Sequence, residues 1–333
     1  MNIAIVGATG KVGSKFIQVL EERKIYADKF FLFASKKSEG KNIKIFNKRY
    51  VVEELNEKNI IEKKIDYALF SVGAKLSLQF APIFAENGVV VIDNSSAFRR
   101  EKNVPLVVPE VNNEDILWHK GIIANPNCST ILAVLPLKAL DEKFDIKRIV
   151  FSTYQAVSGA GQKGIIDLEN GMKGEKPKKF IHPIFSNLIP HIDDFLENGY
   201  TKEEDKMMFE TKKIMHKNSL KITATTVRVP VFNCHSESIN VQFKKPFELS
   251  DVRKVLADFE NVFVVDDIKN NVYPMPINCD EKDGVYVGRI RRDFSCQNAL
   301  NFFAVNDNIR KGAATNAVQI LQSILQFKKE GKL

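Results

Sequence analysis

The stretch Asn125-Pro126-Asn127-Cys128-Ser129-Thr130 places a thiol where it can act as a nucleophile. The apolar run Ile122-Ile123-Ala124 before it reads as a strand. After it, Ile131, Val134, Leu135 and Leu137 recur near helical spacing. Cys128 therefore falls in the first turn of a predicted helix. There, unpaired backbone N–H groups and the positive end of the helix dipole lower a thiol pKa, and the thiolate is the reactive form. The other reading is a small buried filler, the commoner fate of a lone cysteine.

A second arrangement could hold a dinucleotide. Asn2-Ile3-Ala4-Ile5-Val6 is an apolar run without alternation, as expected of a buried parallel strand. It leads into Gly7-Ala8-Thr9-Gly10-Lys11-Val12-Gly13 and then a helix with Val12, Phe16, Val19 and Leu20 on one face. Strand, glycine loop and helix form the context in which the backbone can approach a pyrophosphate resting on a helix N-terminus. The next strand, residues 29–33, ends in Ala34-Ser35-Lys36-Lys37-Ser38, with no acid for the ribose hydroxyls. Two hydroxyls and two cations suit a ribose 2′-phosphate, so NADP is expected over NAD. An exposed lysine-rich loop competes with that reading for either lysine alone.

Around these sites the chain alternates strand and helix. A hairpin is expected over 43–52, strands at 67–71, 89–92, 106–108 and 121–124, and a helix at 75–87 containing Pro82. Asp93-Asn94-Ser95-Ser96-Ala97-Phe98-Arg99-Arg100 closes one strand at the end where open α/β sheets bind ligands. Arg99 is a candidate anion clamp there, or a solvated arginine. After residue 130 the strands become longer and alternate: 146–154, 221–229, 238–244, 285–292 and 299–305. This predicts an antiparallel or mixed sheet. Helices are expected at 204–217, 250–259 and 311–327. The change of pattern places a domain boundary just after Cys128, between a Rossmann-type parallel α/β domain and an α+β domain.

Size and composition agree with two soluble globular domains. No apolar run is long enough for a membrane span and no signal-peptide pattern opens the chain. Cys128, Cys234, Cys279 and Cys296 are far apart, so no disulfide framework or metal site is indicated and a reducing cytoplasm is expected. The net charge of +8 is dispersed lysine, which argues against nucleic-acid binding.

Taken together, the motifs resemble the aspartate-β-semialdehyde dehydrogenase family nearly end to end. They are the glycine loop, Ala34-Ser35 with Ser38 and Gly40, Asp93-Asn94-Ser95-Ser96, Val108-Pro109-Glu110-Val111-Asn112, the Cys128 hexapeptide, Tyr154-Gln155-Ala156-Val157-Ser158-Gly159-Ala160-Gly161, and Arg228-Val229-Pro230 with His235-Ser236-Glu237. The resemblance implies NADPH-dependent reduction of L-aspartyl-4-phosphate to L-aspartate 4-semialdehyde with release of phosphate. That step lies on the route to lysine through diaminopimelate, and to threonine, methionine and isoleucine. It also implies that 1–128 together with 307–333 forms the NADP-binding domain, that 129–306 forms the catalytic domain, and that a homodimer, or a dimer of dimers, is built on the second domain's sheet.

Residue roles follow from the resemblance. Cys128 forms a thioester, His235 is the acid/base residue and Gln155 orients the substrate. Arg228 grips the α-carboxylate and Glu210 the ammonium, while Lys213, Arg99 and Asn127 hold phosphate. Cofactor contacts are implied for Gly7, Thr9, Gly10, Lys11, Val12, Gly13, Ser35, Lys37, Ser38, Ser158, Gly159 and Asn308. Lys37 stands where many relatives have arginine, and lysine cannot fork on a phosphate. The nearest rival, N-acetyl-γ-glutamyl-phosphate reductase, favours an Asn-Pro-Gly-Cys context and would not need Glu210. A non-catalytic NADP sensor is opposed by Cys128, Gln155, Arg228 and His235 occurring together.

Overall fold

A computed structural model describes residues 1–333. The chain forms two compact units, Met1–Pro126 with Ala313–Leu333, and Asn127–Gly312.

In the first unit, β1 (Asn2–Val6), β2 (Lys29–Ala34), β3 (Asn42–Ile45), β4 (Lys48–Glu54), β5 (Tyr67–Phe70), β6 (Val90–Asp93) and β7 (Ile122–Ala124) form one sheet. Its order is β3-β4-β2-β1-β5-β6-β7, and only β3 runs antiparallel to its neighbour. Helices α1 (Lys11–Glu22), α2 (Glu57–Ile61) and α3 (Ala74–Glu86) and the single turn α4 (Pro109–Asn112) connect the strands. Ile3, Ala4, Ile5 and Val6 have no exposed surface, which explains their unbroken apolar sequence: both faces of β1 are covered.

The C-terminal helix Thr315–Lys329 belongs to this unit. Its Ala317, Val318, Leu321 and Ile324 join Phe16, Val19 and Leu20 of α1 in one core. Each such large apolar side chain contributes about 1.5–3 kcal/mol when fully buried. Asn316 Nδ2 donates to Val107 O at 2.9 Å and to Asn125 Oδ1 at 2.7 Å, fixing the helix against the end of β7.

Residues 106–108 depart from expectation. Leu106 makes an isolated bridge to Ala124, but no strand follows. Val107 N still donates to Ala124 O at 3.1 Å, but Pro109, which has no N–H to continue the ladder, starts α4, and Asn112 Oδ1 accepts the Val108 N–H at 2.9 Å.

The second unit contains α5 (Cys128–Phe144), β8 (Ile146–Gln155), α6 (Gln162–Met172), α7 (Lys202–Ile214), β9 (Lys221–Arg228), β10 (His235–Phe243), α8 (Leu249–Asp258), β11 (Val262–Val264), α9 (Pro276–Cys279), β12 (Val285–Asp293) and β13 (Ala299–Asn306). The sheet order is β11-β12-β13-β10-β8-β9. Pairs β8–β9 and β11–β12 are parallel and the rest antiparallel, so the sheet is mixed. Helix α5 is buried from Ser129 to Leu137, as an all-round apolar helix must be. It packs on the sheet face that carries Ile149, Phe151, Thr153 and Gln155 of β8.

Among the differences from the sequence reading are two element starts and one helix. Strand β10 starts at His235, not Ser238. Helix α7 starts at Lys202 because Thr201 and Glu204 form a capping box. Helix α6 was not expected, since Gly164 and Gly171 weaken its helical pattern. Gly164 is required there: a Cβ would lie 2.4 Å from Val157 O.

Candidate active site

In the first unit the glycine loop forms a cradle. Gly7 has φ +87°, and a Cβ on it would meet Ser71 O at 2.7 Å. A Cβ on Gly13 would sit 2.1 Å from Gly7 O, so the first turn of α1 can close on the loop only through glycine. Gly10 N donates to Gly7 O at 2.9 Å, and Lys11, Val12 and Gly13 open α1. Beside the loop lies a cavity of about 440 Å³, lined by Gly7, Thr9, Gly10, Ser35, Lys36 and Glu54 among others. Thr9 Oγ1 is 3.4 Å from Ser38 Oγ across the turn.

Two details differ from the sequence reading. Lys36 rather than Lys37 lines the cavity. An acid is also present: Glu54 of β4 pairs in register with Ala34 at the end of β2. The loop, helix N-terminus and cavity fit a dinucleotide.

Arg99 is 7% exposed in this unit. Its Nε donates to Asn125 O and its Nη2 to Asn94 O, each at 2.9 Å, at the carboxyl ends of β7 and β6. Asp93 beside it is buried, which raises its pKa despite hydrogen bonds from Ser95 and Ser77. Asn94, Asn125 and Asn316 form an amide ladder that stiffens this strand end.

The second unit assembles the expected chemical residues. Gln155 of β8 pairs in register with Arg228 of β9. Ser236 of β10 pairs with Tyr154, so His235 lies beside Gln155, and His235 pairs with Asn306 of β13. Arg228, Gln155, His235 and Asn306 thus form one row across four strands, and all are buried. Strand alternation points them to the same face as α5.

His235 is fully buried, and its Nδ1 accepts the Ala156 N–H at 3.1 Å. A neutral imidazole held this way carries its proton on Nε2. That Nε2 has no hydrogen-bond partner. Burial, with Arg228 adding to it, holds the ring well below the usual value of 6.5, so the neutral form dominates. Arg228 Nη1 donates to Ala156 O at 2.6 Å. Burial lowers the guanidinium, while Glu203 and Cys128 act to keep it charged. Gly159 completes this corner, since a Cβ there would meet Arg228 Nη1, His235 Cε1 and His235 Nε2, all at 3.0 Å.

Cys128 is the first residue of α5 and is half-buried. Asn127 caps this helix, its Oδ1 accepting from Ser129 N at 2.9 Å and Thr130 N at 3.3 Å. Its Nδ2 donates to Glu203 Oε1 at 2.9 Å and its backbone N–H to Glu210 Oε2 at 2.7 Å. Asn127 therefore caps α5 and is held by two carboxylates of α7. Glu210 is 1% exposed, and Lys213 sits half-buried one turn further along α7.

Ser158 and Asn308 face each other, Asn308 Nδ2 donating to Ser158 Oγ at 3.1 Å. Asn308 Oδ1 also accepts the Cys234 N–H at 2.9 Å. Two residues of this site were not singled out from sequence. Glu203 touches both Asn127 and Gln155, and Gly312 lets the chain pass Cys128, where a Cβ would approach Cys128 Cβ to 3.0 Å. No helix is long and apolar enough to cross a membrane.

Comparison with known proteins places these units in context. Residues 2–119 match the family described as semialdehyde dehydrogenase, NAD binding domain. Residues 137–311 match semialdehyde dehydrogenase, dimerisation domain. The chain is 54% identical to aspartate-semialdehyde dehydrogenase of Aquifex aeolicus, covering 97% of this chain and 98% of that protein. It resembles the crystal structure of aspartate semialdehyde dehydrogenase II of Vibrio cholerae complexed with ASA, with TM-score 0.94, 43% identity and 98% of each chain covered. A Candida albicans aspartate semialdehyde dehydrogenase structure with NADP matches with TM-score 0.76 and 27% identity, over 100% of this chain and 99% of that one.

Proposed function

The chain belongs to the aspartate-semialdehyde dehydrogenase family, and from that premise we propose that it reduces L-aspartyl-4-phosphate to L-aspartate 4-semialdehyde through a thioester on Cys128. The observation that carries this reading is the thiol at the capped N-terminus of α5, in the same unit as the buried row Arg228-Gln155-His235.

Cys128 sulfur attacks the acyl carbon, the C–O bond to phosphate breaks, and phosphate leaves with the electron pair. The α5 N-terminus and the positive charge of Arg228 favour the thiolate needed for this attack. Arg228 also suits the substrate α-carboxylate and Glu210 its ammonium, while Arg99 and Lys213 suit the phosphate. When bound, the nicotinamide supplies the hydride. As the thioester carbonyl is reduced, its oxygen takes on negative charge, and the Nε2–H of neutral His235 stabilises that charge. The carbonyl then re-forms and expels Cys128 as thiolate. Thiolate enters and thiolate leaves, so His235 serves as a hydrogen-bond donor and need not give up its proton.

NADP fits the Ser35-Lys36-Lys37-Ser38 turn, with Lys36 nearest the cavity. A second reading, NAD, is favoured by Glu54, which stands where a ribose diol could be hydrogen-bonded. The sheet face bearing Tyr154 and Phe303, half-exposed in one chain, suits the homodimer that the dimerisation-domain match suggests.

The test is phosphate-dependent reduction of NADP and NAD, with L-aspartate semialdehyde and N-acetyl-glutamate semialdehyde run in parallel. Turnover of the first alone supports the reading. Turnover of the second alone moves the chain to the rival reductase chemistry.

A further inference from the structure

We propose that Glu203 is the positioning residue that fixes the amides of Asn127 and Gln155, and through them the geometry around Cys128. The inference rests on the site assigned above and adds a residue to it. Glu203 is the second residue of α7 and is 5% exposed. Its Oε1 accepts from Asn127 Nδ2 at 2.9 Å and from Gln155 Nε2 at 3.2 Å. Its Oε2 accepts from Lys206 Nζ at 3.2 Å, and Lys206 in turn binds Asp193 at 2.5 Å.

Burying a carboxylate is costly unless it is paired and hydrogen-bonded, and here both conditions are met. An ionised carboxylate only accepts, so each amide must turn its NH2 toward Glu203. For Asn127 this leaves Oδ1 to cap α5, the arrangement observed. For Gln155 it turns the carbonyl oxygen away from Glu203. A glutamine at 203 could offer its own NH2, leaving either partner free to flip. Helix α7 grips Asn127 twice: Glu203 takes the side chain and Glu210, two turns later on the same face, takes the backbone N–H. The ion pair with Lys206 also ties this grip to the loop carrying Asp193.

The test uses the full-length wild type, Glu203→Gln, Glu203→Asp, Gln155→Ala and the double variant Glu203→Gln/Gln155→Ala. For each, kcat and KM for L-aspartate semialdehyde, the rate of Cys128 alkylation by iodoacetamide against pH, and the melting temperature are measured. Misplaced groups cost about 10²-fold in rate, so Glu203→Gln should lose about that in kcat with little change in KM. Glu203→Asp, which keeps the charge, should fall between it and the wild type. The double variant should lose less than the product of the two single losses, because the part of the positioning that acts through Gln155 is already gone. Removing a nearby negative charge by itself favours the thiolate, so slower alkylation of Cys128 in Glu203→Gln at neutral pH reads the lost positioning of Asn127 at the start of α5. Wild-type kcat in Glu203→Gln, or multiplied losses in the double variant, would overturn the proposal. If Glu203→Gln is recovered unfolded, wild-type kcat in Glu203→Asp overturns it instead. A wild type that does not turn over the substrate would count against the substrate assignment, and the alkylation arm would still decide the role of Glu203.

Discussion

His235 Nδ1 accepts the backbone N–H of Ala156 at 3.1 Å, and this contact decides which ring nitrogen can donate. A protonated Nδ1 would set two hydrogens against each other, so the geometry and the burial of the ring act in the same direction. The ring is built to stay neutral with Nε2–H available.

This role gives a first prediction. Removing one donor to a developing oxyanion costs about 10²–10³ in kcat. His235→Ala should lose about that, while His235→Gln, which can still offer an N–H, should retain more. The kcat of the wild type should not follow a titration near 6.5. A kcat profile falling on a single ionisation near that value, with Gln no better than Ala, would return His235 to proton transfer.

A second prediction concerns Glu237, two residues along β10 and on the same face. It is fully buried, with neither carboxylate oxygen hydrogen-bonded. Burial, with the charge of Glu203 adding to it, raises its pKa well above the usual 4.5. The folded chain therefore keeps a proton that the unfolded chain releases above 4.5, and stability falls as pH rises from there toward the folded pKa. His235 works oppositely. Below 6.5 the unfolded chain binds a proton that the folded chain refuses, so stability falls as pH drops. Glu237→Gln should raise stability in urea unfolding, by more at about pH 8 than at about pH 5. An equal shift at both would show that the carboxyl does not titrate between the states.

The cofactor turn provides the third prediction. Lys36 lines the cavity and Lys37 does not, although both are exposed. Lys36→Ala should weaken NADPH binding by more than NADH binding, and by more than Lys37→Ala does. Glu54→Gln should weaken NADH or strengthen NADPH. Fluorescence titration of both nucleotides reads all three. Equal losses for NADPH and NADH in Lys36→Ala would remove the 2′-phosphate assignment.

These cases also show what could be read from the chain. Cys128, Gln155, Arg228 and His235 stand in local motifs, but the row of Gln155, Arg228 and His235 needs the register of β8, β9 and β10, and the expected third strand began at 238, short of His235. Glu203 was hidden because Lys202-Glu203-Glu204-Asp205 looks like the solvated start of a helix. Only the fold reveals that Glu203 turns inward and Glu204 closes the capping box. Lys36 and Lys37 are chemically identical neighbours, so their types do not tell which one lines the cavity. The acid missing from the end of β2 enters from β4, a strand apart in sequence but paired in register. The tautomer of His235 depends on a backbone N–H 79 residues away in the chain, beyond any local pattern.

Covalent catalysis at Cys128 is the step most directly open to measurement. The measurement is intact-protein mass spectrometry after brief exposure to L-aspartyl-4-phosphate without NADPH, for the wild type and Cys128→Ala, with released phosphate followed in parallel. Covalent catalysis at Cys128 gives one aspartyl adduct per wild-type chain, mapped to Cys128, with one phosphate released for each; NADPH addition then clears the adduct, and Cys128→Ala forms none. Phosphate release without an adduct, or an adduct that persists in Cys128→Ala, would contradict it.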